Sequence, residues 1–218
     1  MEGIFLLDND LLVIQKPFNV TFEDFTNQVT EYVNTQQQCK VLPLYELDAQ
    51  VSGVAVFVLN DKALKNLNKQ MEASEFEMRY YAVTVGNVKA ESGFYNACVV
   101  KDKQTGVYTH IPQLNAGAES FALSYQLIEK VSQINLIKIG TNNINQEKIR
   151  FALSDMGNPI FGDKDYGGDT LAKNTNMALC LVDVHFLHPT QNQVLTFRGL
   201  PPETKPWSYF KLDKWFKI

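Results

Sequence analysis

Two carboxylates stand two residues apart in the stretch LYELDAQVSGVAVFVLND, Leu44 to Asp61, at the start of an otherwise apolar run. On an extended backbone, residues i and i+2 project to the same side, so Glu46 and Asp48 would face out together if the strand begins that early. A pair like this has a plain use: it wets the mouth of a buried strand, with Asp48 bonding local backbone. It also has a chemical one, since an acid and a base that flank a bond suit glycoside hydrolysis. Other candidate groups are poorer. His185 and His188 fall on opposite sides of a predicted strand and make a weak metal pair, and His110 sits in a loop without a partner. Cys39, Cys98 and Cys180 are far apart, odd in number and in no metal-ligand spacing, which suits reduced thiols.

The elements that must position these groups follow from periodicity. Ile4–Leu7 and Leu11–Ile14 flank the turn-forming Asp8-Asn9-Asp10, predicting a hairpin that Lys16-Pro17 ends. Phe22, Phe25, Val29, Tyr32 and Val33 recur at helical spacing and predict a helix over one face of a sheet. Val54–Leu59 reads as a buried strand, and Asn60-Asp61 caps a helix carrying Leu64, Leu67 and Met71 inward. Tyr80–Val85, Phe121–Ile128, Ile134–Ile139, Ala178–Leu187 and Val194–Phe197 read as further strands, and Gln146–Met156 as a short helix stopped by Gly157 and Pro159. The stretch from Asn87 to Gly117 shows no strong period and is expected to be rich in loops. Strand runs outnumber helices and do not alternate with them, so the expected class is α+β on a mixed, mostly antiparallel sheet. No repeat or linker divides the chain, and residues 1–218 are expected to form one domain.

Composition narrows the function. The 218 residues are 45% hydrophobic and 20% charged, enough for a sizeable core. A net charge of -4 excludes nucleic-acid binding by bulk polyelectrolyte attraction, so such a partner needs a local basic groove. Lys62, Lys65, Lys69 and Arg79, with Lys138, Lys148 and Arg150, are the candidates for it. No apolar run approaches the roughly 18 residues of a membrane span, and MEGIFLLDNDLL lacks the basic region of a signal peptide. A cytoplasmic protein without a membrane partner is expected.

The motifs together resemble RluA-type pseudouridine synthases. LYELDAQVSGVAVF resembles that family's His-Arg-Leu-Asp segment with its trailing Ser-Gly and strand. LLDNDLLVIQKP is similar to its opening hairpin, and MRYYAVTVG to its tyrosine segment. EKIRFALSDMGNPIFGDKDYGG resembles its Ile-Arg helix and Gly-x-Pro-Ile-x-Gly-Asp turn, and LHPTQNQVLTFRGLPP its closing strands. The segments occur in the family's order over nearly the whole chain. The resemblance implies a catalytic domain with a central cleft, starting at the hairpin without the small N-terminal RNA-binding domain of some relatives. It implies isomerisation of uridine to pseudouridine in structured RNA, ribosomal or transfer, by a monomer that needs no metal or other cofactor. Asp48 takes the place of the nucleophilic aspartate. Tyr80 takes that of the tyrosine that stacks on uracil and removes its C5 proton, and Arg150 that of the arginine that pairs with the aspartate. Ile149 is expected to shape the pocket wall.

Departures cluster around the substrate. Tyr45-Glu46 replaces the family's His-Arg, which reverses a charge where phosphates should pass. GTNNINQEKIR keeps only the last two residues of Thr-Gly-Arg-x-His-Gln-Ile-Arg, and Cys180 stands where many members have histidine. Retained chemistry on a different target is the first expectation. A catalytically silent RNA-binding member is the second, and a glycosidase-like enzyme using Glu46 and Asp48 the third.

Overall fold

The structure is a computed structural model that describes residues 1–112, 117–168 and 176–216. It has the expected α+β class, a mixed, mostly antiparallel β-structure with few helices. The chain divides into two compact units, each discontinuous in sequence: Met1–Arg79 with Cys180–Pro202, and Tyr80–Leu179 with Glu203–Lys217.

In the first unit, β1 (Ile4–Leu7) and β2 (Leu11–Lys16) form the opening hairpin. Its turn is pinned by the Asp8 carboxylate, which accepts from the backbone N–H of Asp10 and of Leu11, each at 2.8 Å. Strand order continues through β4 (Val51–Val58) to β10 (Leu179–Leu187), with the short β3 (Leu42–Pro43) on β4 and β11 (Val194–Arg198) on β10. Every residue of β4 is buried, Ser52 and Gly53 included, as in a strand covered on both faces. Gly53 makes the approach to β10 possible. Its φ is +139°, and a Cβ there would lie 2.2 Å from the Leu181 carbonyl oxygen. Helix α1 (Phe22–Gln36) starts at Thr21, whose hydroxyl accepts from Asp24 N–H, and buries Phe25, Val29 and Val33 against Leu12, Ile14, Ala55 and Phe57. Each such side chain removed from water contributes about 1.5–3 kcal/mol. Helix α2 (Asp61–Glu72) starts at Asn60 and is tied to the end of β10 by a side-chain amide that imitates a strand partner. Gln70 donates to Leu187 O at 2.8 Å and accepts from Leu187 N at 2.9 Å.

In the second unit the order is β5 (Glu77–Val85, from Tyr80 onward), β9 (Ile134–Thr141), β8 (Glu119–Val131), β6 (Ser92–Lys101) and β7 (Tyr108–Ile111). Strands β6 and β7 correct the loop-rich expectation for this stretch. In β6 the inward residues Tyr95, Ala97 and Val99 alternate with Phe94, Asn96 and Cys98, so an outward aromatic and an inward alanine blur the two-residue period. Helix α3 (Gln146–Asp155) buries Ile149, Ala152 and Leu153 and is capped by Asn145, whose side-chain oxygen accepts from Lys148 N–H. The Pro-Ile-x-Gly-Asp segment runs beside β5: Val85 N bonds Pro159 O, and Phe161 N bonds Val83 O. The tail packs its aromatics as a terminal segment should. Phe216 meets the Tyr81 ring edge-on at 4.7 Å, and Trp215 donates to Glu129 at 2.7 Å, ending in α4 (Leu212–Trp215). Lys217 lies outside the described residues. No helix among the described residues is long and apolar enough to cross a membrane.

Candidate active site

Asp48 stands on the loop between β3 and β4. The strand read as Val54–Leu59 runs from Val51 to Val58 and so does not begin early enough to carry Glu46 and Asp48: residues 49–50 turn and Val51 N bonds back to Asp48 O at 2.9 Å. The alternation survives without the ladder. Tyr45 and Leu47 are buried while Glu46 and Asp48 are exposed, so core side chains fasten the loop and hold both carboxylates in solvent. Tyr45 is turned into the core at 3% exposure; its hydroxyl donates to Val54 O at 2.9 Å and its ring meets Phe76 edge-on.

A residue that sequence reading passed over sits with this loop. Lys16, the last residue of β2, is fully buried. Its ammonium donates to the carbonyl oxygens of Pro17 at 3.1 Å, Ala49 at 3.4 Å and Val51 at 3.1 Å. Burial pushes its pKa down to about 8, against the upward pull of the Asp48 charge. The signal for it was the Lys-Pro that closes the hairpin, read there only as a stop.

Arg150 lies on α3 in the second unit, and its guanidinium forks onto one acid. Nε donates to Asp163 Oδ2 at 2.8 Å and a terminal nitrogen to Asp163 Oδ1 at 2.7 Å, with Asp165 a further partner. Asp163 is fully buried and also accepts from the backbone of Asp165 and Tyr166. Burial by itself would lower the Arg150 pKa, but the bonds and charges of Asp163 and Asp165 outweigh it and hold the guanidinium firmly cationic. The Tyr166 ring lies 5.1 Å from the same guanidinium. These partners were visible in GDKDYGG as a turn, without any signal of what they hold.

Tyr80 on β5 is fully buried, as is Ile149 beside Arg150, and Tyr81 is buried against Phe216. Around the start of α3 lies a network of charged and phenolic side chains. Glu147 accepts from Lys101 at 2.6 Å and from Tyr166 at 3.2 Å, and Lys148 pairs with Glu119. Cys180 is an apolar core residue; burial pushes its thiol up to about 12. A cavity of about 190 Å³ in the second unit, lined by Val88, Lys89, Tyr125, Ile137, Met156 and Asn158, contains none of the candidate residues. The geometry therefore offers an exposed carboxylate on a braced loop, a buried phenol and an arginine clamped to its own counter-ions.

Residues 10–152 match the RNA pseudouridylate synthase family, a span that includes Asp48, Tyr80 and Arg150, and the chain belongs to that family. It is 23% identical over 199 residues to an uncharacterized RNA pseudouridine synthase of Bacillus subtilis, covering 86% of this chain and 65% of that protein. It is 26% identical to a counterpart from Mycoplasma genitalium, covering 91% of this chain and 66% of the relative. Against the dual-specificity RNA pseudouridine synthase RluA of Haemophilus influenzae it is 25% identical over 88% of this chain and 90% of the relative, in keeping with RluA-type membership. The chain thus spans about half to two thirds of several relatives it matches, 52% for one from Chlorobaculum parvum. The fold is shared with the human protein named RNA pseudouridylate synthase domain containing 4, at a TM-score of 0.77 and 16% identity over 92% of this chain and 88% of that one.

Proposed function

We propose that this chain is an RNA pseudouridine synthase, isomerising uridine to pseudouridine in ribosomal or transfer RNA. The observation that supports this most is the family match across residues 10–152; Asp48, on an exposed and braced loop within that span, is our candidate for the family's aspartate. Asp48 acts as the nucleophile, on the sugar or on the base, while the N–C glycosidic bond opens. The freed uracil turns over and a C–C bond forms. Tyr80 stacks on the base and takes the C5 proton; because its side chain is buried, uracil reaches it only after neighbouring side chains open. Arg150 supplies a fixed positive charge, its direction set by Asp163. Glu46 borders the substrate and changes how the target is gripped, Tyr45 fastens that loop from the core beneath, and Ile149 packs beside Arg150. The chain works in the cytoplasm, as a monomer and without a cofactor.

Tritium release from RNA labelled at uridine C5, taken from cells lacking the gene, tests the reading. Release by the wild-type protein and none by Asp48→Asn is expected. Absence of release from ribosomal and transfer RNA alike, where a control synthase is active, overturns it. RNA binding without release would instead support the silent member, a reading that the exposed Glu46 favours.

A further inference from the structure

In the second unit the face of β6 and β8 turned away from α3 is open to solvent. Tyr95, Ala97, Phe121 and Leu123 point to the helix side and are buried, whereas Phe94, Asn96, Ala122 and Gln126 point outward and are exposed. Phe94 is 87% exposed, the most exposed large hydrophobic side chain among the described residues. A ring this exposed on the solvent face of a strand presents its π-face for stacking.

Its surroundings narrow what can stack there. Across the ladder Phe94 sits opposite Ser124, and Ser124 opposite Gly140 of β9. Beside the ring, then, lies a row of minimal side chains, flat enough for a planar group to settle against the sheet. The flanking outward positions, Asn96 and Gln126, carry both donors and acceptors, and Lys138 stands opposite Gln126. No carboxylate projects outward from β6 or from Ser120–Gln126 of β8, in a chain with 24 acidic residues. The next acid along β8 is Glu129, beyond a bulge, and it is engaged by Trp215. A continuous apolar patch would suit a protein partner. A solitary ring among amides, hydroxyls and one ammonium suits a nucleobase instead: π-face on the ring, edge on the polar groups, phosphate toward the cation.

We propose that this face is a second contact for single-stranded RNA, in which one base stacks on Phe94 beside Asn96, Ser124 and Gln126, with Lys138 toward the backbone. The proposal rests on RNA being the substrate of this protein, but not on turnover. It is tested by fluorescence anisotropy with a labelled single-stranded 12-mer, using the full chain. Phe94→Ala is expected to weaken binding about tenfold, Phe94→Trp to keep or tighten it, and Lys138→Gln to flatten the salt dependence by about 0.7 in log–log slope. The exposed position lets both Phe94 variants fold, which circular dichroism verifies. Equal affinity of Phe94→Ala and wild type overturns the proposal, as does a drop in self-association with RNA binding unchanged, which would make a second copy the occupant. Phe94-dependent binding without tritium release supports this face while overturning the enzymatic reading. Release with Phe94-independent binding does the reverse.

Discussion

The two units handle charge in opposite ways. In the first, Asp48 is exposed on a loop, and the lysine coupled to it is buried and spent on main-chain carbonyls. In the second, Arg150 is locked to a buried acid by a two-point fork. The first arrangement braces a backbone beneath an exposed carboxylate; the second fixes the direction of a guanidinium. Removing the exposed group should therefore cost activity, and removing the clamp should cost stability.

The sharpest division comes from Asp48→Asn. Its side chain is exposed, so we expect at least a ~1,000-fold fall in tritium release with a loss of stability well below that of a buried ion-pair variant. An equal loss of stability would erase the contrast. Asp163→Ala takes the two-point acid away from a buried guanidinium and leaves it the exposed Asp165, and should destabilise by about 3–5 kcal/mol in urea denaturation.

Lys16 gives the comparison a pH axis. Its folded pKa, about 8, lies below the usual 10.5, so between these values the unfolded chain holds the extra proton and stability rises with pH. Wild type should gain about 3 kcal/mol relative to Lys16→Met from pH 8 to 10.5, at 1.36 kcal/mol per pKa unit, in parallel denaturation series. Parallel curves for the two proteins would show that burial does not perturb this lysine. The mildest change is Glu46→Arg, which should steepen the salt dependence of RNA binding by about one unit of log–log slope without altering the melting temperature.

Much of the scaffold was legible because one period dominated. The opening hairpin, α1, β4 and α3 follow from apolar spacing and capping residues, while Asp48 and Arg150 were singled out by ordered motifs that resemble a family and remain candidates. What escaped depended on partners distant in sequence. Nothing local announces that Lys16 grips Ala49 and Val51, or that Asp163 holds Arg150, since hydrogen bonds of this kind leave no period. β6 escaped for a different reason. Its outward Phe94 and inward Ala97 invert the usual contrast of sizes, so the alternation is present in burial but hidden in residue type.

The discontinuity of the first unit has a consequence for biosynthesis. Its β4 is buried on both faces, and its neighbour β10 is encoded some 120 residues later, after nearly all of the second unit. While the ribosome is still translating, β4 presents an unpaired apolar edge that a neighbouring nascent chain can join. The second unit, contiguous for its five strands, is free to condense first. The hairpin, α1 and β4 can pair among themselves as they emerge, but one flank of β4 stays bare until β10 has been made.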